Sequence, residues 1–138
     1  NSAWAGNYTL AFGGTDGDNE ENASKEWAAA NTAPAAKRVI TTTDDATAVI
    51  DVTATDIYQL SAVANATTFT LSGTAVDGQQ ILVRIKDAGV AKALTWTGFT
   101  AIGVTLPTTT TASKWTYVGC TYNAAATAWH VIAVTTES

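Results

Sequence analysis

From residue 38 onward the chain is divided into short runs of β-branched and aromatic residues, each closed by small or turn-forming residues. This division constrains the fold more than any other feature. Residues 80–86 show it best: Ile81, Val83 and Ile85 fall on one side of an extended chain, and Gln80, Arg84 and Lys86 fall on the other. A period of two is that of a half-buried strand. Leu82 breaks the alternation by placing an apolar side chain on the polar side, which predicts a second covered face on this strand. Asp77-Gly78 before it and residues 87–89 after it are turn signals.

The same reading predicts strands at 38–43, 47–54, 57–60, 68–71, 93–96, 102–106, 115–122 and 128–134. Pro107 cannot donate to a ladder, so an edge or a loop must follow the run at 102–106. The last two runs, joined by NAAAT, predict a central hairpin with Trp115, Tyr117, Tyr122 and Trp129 near it. About eight short strands at regular spacing predict an all-β domain over residues 39–138, a jelly-roll-like β-sandwich. No internal repeat is visible.

Residues 1–38 read as an extended N-terminal connector or attachment segment. The Gly-rich acidic stretch GGTDGDNEEN is a loop. Residues 20–30 predict a short helix that Asn22 or Ser24 can cap and that Pro34 ends. Its apolar side is little beyond Trp27 and alanines, so it must pack on a neighbour or act as a stalk. Because the sequence opens at Asn1 rather than Met, residues are expected to precede it.

The chain has 138 residues, 46% of them hydrophobic and 14% charged. Ordinary domains carry about 25% charged residues, so neutral polar side chains must cover much of this surface, and threonine does so here. The net charge is −5 and most of the acids lie in the first sixty residues. Neither half gathers the clustered Lys and Arg that nucleic-acid binding needs. No apolar run is long enough to insert into a membrane as a helix.

Metal, cofactor and catalytic chemistry find little support. Cys120 is the lone cysteine and His130 the lone histidine, so neither a disulfide nor a zinc cluster can form within the chain. Cys120, in an apolar strand, is expected to be a buried thiol. Asp16, Asp18 and Glu20 alternate as in a calcium loop, but Glu21 stands where that loop requires glycine. His130 lies between Trp129 and Val131 with no G-x-S-x-G elbow anywhere, and no carboxylate pair is isolated in an apolar setting. The sequence therefore predicts a protein that is not an enzyme, with no metal and no cofactor. The sequons at Asn7, Asn22 and Asn65 would suit a glycosylated secreted protein, but a chain so rich in Thr also produces them by chance.

The segments DGQQILVRIKDAGVAKALTW, IGVTLPTTT, YVGCTYN and WHVIAV, in that order across residues 67–134, resemble a domain that recurs in tailed-bacteriophage and prophage structural proteins. IGVTLPTTT is the most distinctive. The resemblance implies a virion component on the particle surface, a capsid decoration, head fibre or tail fibre protein. It implies homotrimeric assembly, with major capsid or tail proteins as further partners, and no catalytic residues. Trp115, Tyr117 and Val131 are the expected buried anchors between subunits. The alternative is a carbohydrate-binding module for host-surface glycan. The chain has five Trp, and Trp96, Phe99 and Trp115 are the candidate contacts, because flat aromatic faces suit sugar rings.

Overall fold

Nine strands and no helix occur among residues 35–138, which the computed structural model describes. They are β1 (Val39–Thr42), β2 (Thr47–Asp51), β3 (Ile57–Val63), β4 (Thr67–Ser72), β5 (Gln80–Asp87), β6 (Leu94–Trp96), β7 (Phe99–Ala101), β8 (Thr116–Asn123) and β9 (Ala128–Thr136). Lys37–Ser138 forms one compact unit. Residues 1–34 of the connector, with its helix and Trp27, the acidic loop at 16–20 and the sequons at Asn7 and Asn22, lie outside the described residues.

The strands form a six-stranded sheet in the order β1-β3-β5-β8-β9-β7 and a three-stranded sheet in the order β2-β4-β6. From β1 to β7 the chain changes sheet at every connection. As far as β6, it returns after two crossings in its original direction, one strand along, so β1 pairs with β3, β3 with β5, β2 with β4 and β4 with β6, all parallel, whereas β7 goes to the far edge beyond β9. This is a coil whose pitch is one strand spacing, about 4.8 Å. Its turns differ in length, since Val39 pairs with Ile57 and Ile57 with Leu82. That inequality is why no repeat shows in the sequence.

A jelly roll is built from antiparallel Greek keys. Here five of the seven pairings are parallel, and only β5–β8 and β8–β9 are antiparallel. The expected central hairpin is present: β8 and β9 lie inside the large sheet, with β5 on one side and β7 on the other. Its loop is held by Asn123, whose side-chain oxygen accepts from the backbone N–H groups of Ala125 and Ala126 at 3.0 and 3.2 Å. The strand expected at 102–106 does not form. Pairing with β9 starts earlier, at Phe99, and ends when Ile102 N–H donates to the Val131 carbonyl. Gly103, at φ 68°, then turns the chain away.

Both sheets contribute to one core. Ala48, Ile50, Phe69 and Leu94 come from the small sheet, and Tyr58, Leu60, Val63, Ile81, Val83, Ile85, Val118, Cys120, Trp129 and Val131 from the large one. Phe69 is fully buried, meets Tyr58 edge-on at 6.5 Å across the sheets and stacks on Trp96 at 4.4 Å. The turn after β4 depends on Gly73, at φ 87°, where an added Cβ would lie 2.8 Å from Asp51 Oδ1 and 2.9 Å from Thr53 Cγ2.

Replacing Phe69 with Ala removes the ring that both sheets share, and stability should fall by about 3–5 kcal/mol. Val49→Ala, on the exposed side of the same small sheet, should change it by less than about 0.5 kcal/mol. Urea unfolding of the two variants measures both values.

Candidate functional site

The outward face of the six-stranded sheet is the surface that the fold leaves least accounted for. Register places Val39, Ile57, Leu82, Gly119 and Ala133 in one row across β1, β3, β5, β8 and β9. Their neighbours Tyr58, Val83 and Val118 are buried and face the core, so the row faces out. It is an apolar strip crossing five strands. Polar rows flank it: Thr41, Gln59, Arg84, Tyr117 and Thr135 on one side, and Gln80, Thr121 and His130 on the other. Leu82, the residue that broke the alternation, occupies the middle of the strip.

The ladder between β8 and β9 slips between Gly119 and Cys120, which pair with Ala133 and Val131. Ile132 is the extra residue of this bulge. A depression of about 310 Å³ lies here, lined by Ile57, Leu82, Gly119, Ile132 and Ala133, with Lys37, Asp56 and Gln80 also lining it. The Asp56 carboxylate takes a two-pronged contact from Arg38, with Nη2 at 2.9 Å and Nε at 3.1 Å, and also accepts from the Arg38 backbone N–H at 2.8 Å. These hydrogen bonds hold it well below the usual carboxylate range. Arg84 Nε, in the adjoining polar row, is buried and has no hydrogen-bond partner among the described residues.

The candidate anchors fall in different places. Tyr117 is half-buried on the outward face beside Arg84. Trp115 is half-buried just before β8; its backbone N–H donates to Glu137 at 2.5 Å, and the Lys86 ammonium stands 5.7 Å from its ring centroid. Val131 is 0% exposed. Its side chain belongs to the core of its own chain, and the β9 residues beside it, Ile132 and Ala133, are the ones that reach solvent.

Of the candidate glycan contacts, the structure brings Trp96 and Phe99 together at 5.2 Å, edge to face. Trp96 lies nearly flat on Phe69, 12° from parallel, and its indole N–H donates to the Pro107 carbonyl at 2.7 Å. One ring face and the polar edge are therefore engaged inside the domain. Trp115 stands apart from this ladder, under Lys86. His130 is half-buried in β9 between Thr121 and Thr100. Cys120 is buried, and desolvation pushes its thiol up to about 12.

Beyond these residues lies a buried polar knot at the end of β5. Asp87 is 3% exposed and accepts from Thr110 Oγ1 at 2.6 Å, Ser113 N–H at 2.7 Å and Gly89 N–H at 2.9 Å. Thr110 Oγ1 in turn accepts from Lys92 N–H at 2.8 Å. The Thr run at 108–111 is thus an extended loop tied to the 88–92 turn, with a bridge between Ala93 and Thr109. Leu82 was visible in the sequence. Gly119 and Ile132 were not, because a bulge leaves the spacing of apolar residues on β9 without a clear period.

Comparison of the chain with protein-family models, curated proteins and solved structures gives no match.

Desolvation pushes the Asp87 carboxyl up, but the hydrogen bonds from Thr110, Ser113 and Gly89, with Lys92 nearby, outweigh it and leave it below its ordinary value. A depressed carboxylate contributes stability that is complete above its unfolded value, about 3.9, and is lost as pH falls through the lower folded value. Thermal midpoints should therefore hold from neutral pH down to about 5 and drop below about 4. Asp87→Ala, which strands the buried Thr110 hydroxyl and removes the acceptor of two part-buried N–H groups, should cost about 2 kcal/mol at neutral pH and flatten that acid limb. Melts of both proteins across the pH range check this.

Proposed function

We propose that the chain is a structural component of a tailed-bacteriophage particle, a capsid decoration or fibre protein that works by assembling with copies of itself, as a homotrimer, and by attaching to major capsid or tail proteins on the particle surface. The resemblance of DGQQILVRIKDAGVAKALTW, IGVTLPTTT, YVGCTYN and WHVIAV to domains of such proteins supports the setting. The observation that carries the assembly is the apolar strip across five strands of the outward sheet face. A contiguous apolar row bounded by polar rows is the pattern of a surface that a partner covers.

In this reading the described residues are a two-sheet sandwich, a rigid platform whose faces are used for contact. No residue is given a catalytic part. His130 stands between two threonines, and Asp87 is enclosed by structural donors, so neither is set up to transfer a proton to a bound molecule. The glycan reading is less well supported, because Trp96 spends one ring face on Phe69 and its N–H on Pro107.

Sedimentation equilibrium of the full chain should give three times the mass of 14.3 kDa. Antibody raised against the chain should decorate the surface of purified phage particles in electron micrographs. A chain that stays monomeric at tens of micromolar overturns the assembly, and particles that bind no antibody overturn the setting.

A further inference from the structure

The outward sheet face carries two features that the protomer does not use, and they fit each other. At the β9 bulge, Ile132 and Ala133 both face outward while Val131 and the half-buried Val134 face in, which leaves Ile132 52% exposed at the rim of the depression. Beside it, Gly119 leaves the floor of the depression without a side chain. A Cβ at 119 would meet Ala133 Cβ at 3.5 Å and its carbonyl oxygen at 4.0 Å, which are ordinary contacts. Gly119 is also not among the positive-φ residues. Nothing in the described chain therefore requires glycine there. Glycine weakens a strand interior, and it marks places where another backbone or a ligand comes close.

We infer that the occupant is a second copy of this chain, with Ile132 of one copy seated in the Gly119 trough of the next. The inference rests on the self-assembling reading above and assigns it a surface. One face offers both halves of the contact, so each copy in a closed ring gives one Ile132 and receives another. The depression is bordered by charges of both signs, Lys37 and Asp56, so a copy of the same face meets no single-sign field that would repel it.

Size extends the contact beyond the strip. Five strands at about 4.8 Å spacing make the strip roughly 19 Å long and one side chain wide. A stable pair buries about 800 Å² on each partner, so the contact must also cover an adjoining polar row. The row containing Arg84 and Tyr117, directly beside the strip, is the one that extends it. Tyr117, from the same row, then lies inside the contact.

The test measures self-association of the full chain by sedimentation equilibrium, with circular dichroism and melting as the check on folding. Ile132→Lys, at a position already half-exposed in the protomer, should raise the dissociation constant at least about tenfold. Gly119→Leu, which fills the trough, should do the same. Val49→Lys, on the exposed side of the small sheet, should leave association unchanged. Should Gly119→Leu fail to fold, Ile132→Lys decides alone. If the wild-type chain assembles and Ile132→Lys assembles equally well, this face is not the contact although self-assembly stands. The face is likewise excluded if Val49→Lys weakens assembly as much as Ile132→Lys does. A wild-type monomer removes both the face and the assembly it serves.

Discussion

The contact between Tyr58 and Phe69 joins sheets that could not stand apart. The small sheet consists of three strands, the last only three residues long, and its strands are all parallel. Such a sheet needs its apolar face covered to be stable at all. Parallel neighbours also need a crossover of a dozen residues or more, for which most proteins use a helix. Here the crossovers that join β1 to β3, β2 to β4, β3 to β5 and β4 to β6 each contain a strand of the opposite sheet. The two sheets are therefore each other's connections, and the core between them, centred on Phe69 with Tyr58 and Trp96 against it, is what allows either to exist.

Polar contacts then fix where the coil begins and ends. At its start, Arg38 grips Asp56 with its side chain and backbone N–H, and its Nη1 donates to the Thr53 carbonyl at 2.6 Å, tying the entry of β1 to the entry of β3. The next turn is tied by Asp44, which accepts from Ala64 N–H at 2.9 Å and from the Asn65 side-chain amide at 2.7 Å. Asp87 does the same for the end of β5, but inside the protein. The exposed clamps are screened by solvent and contribute register more than stability. Asp87 contributes both, since the buried Thr110 hydroxyl would otherwise lack its acceptor.

Which residues form strands was largely legible in the sequence, because period-two alternation reports which side chains face inward. Residues 80–86 were read in this way, and the hairpin from two aromatic-bearing runs joined by NAAAT. Pairing was not legible. Alternation is the same in parallel and antiparallel ladders, so nothing in Ile57-Tyr58-Gln59-Leu60 says that its partners are Val39 and Leu82. The run at 102–106 satisfied the strand pattern, yet Gly103 turns there, and β7 forms at Phe99 instead. The aromatic residues were placed near strands correctly, but whether an indole faces solvent or, like Trp96, lies on another ring depends on sheet-to-sheet packing. The candidate surface was half legible: Leu82 announced it, whereas Gly119 reads as a neutral small residue until its neighbours are known.

Coiling explains why the outward strip is continuous. In a parallel coil, residues at matching positions of successive turns stack directly beside one another. Val39, Ile57 and Leu82 hold one such position in three successive turns, so an aliphatic residue delivered once per turn builds a row perpendicular to the strands. The antiparallel hairpin extends the row through Gly119 and Ala133, and the bulge adds Ile132 without disturbing the inward alternation of Val131 and Val134. Had β9 carried no extra residue, shifting one aliphatic side chain outward would have moved every residue beyond it to the wrong face. The bulge confines that change to one position, which is how a strand can serve a sealed core on one side and an apolar knob on the other.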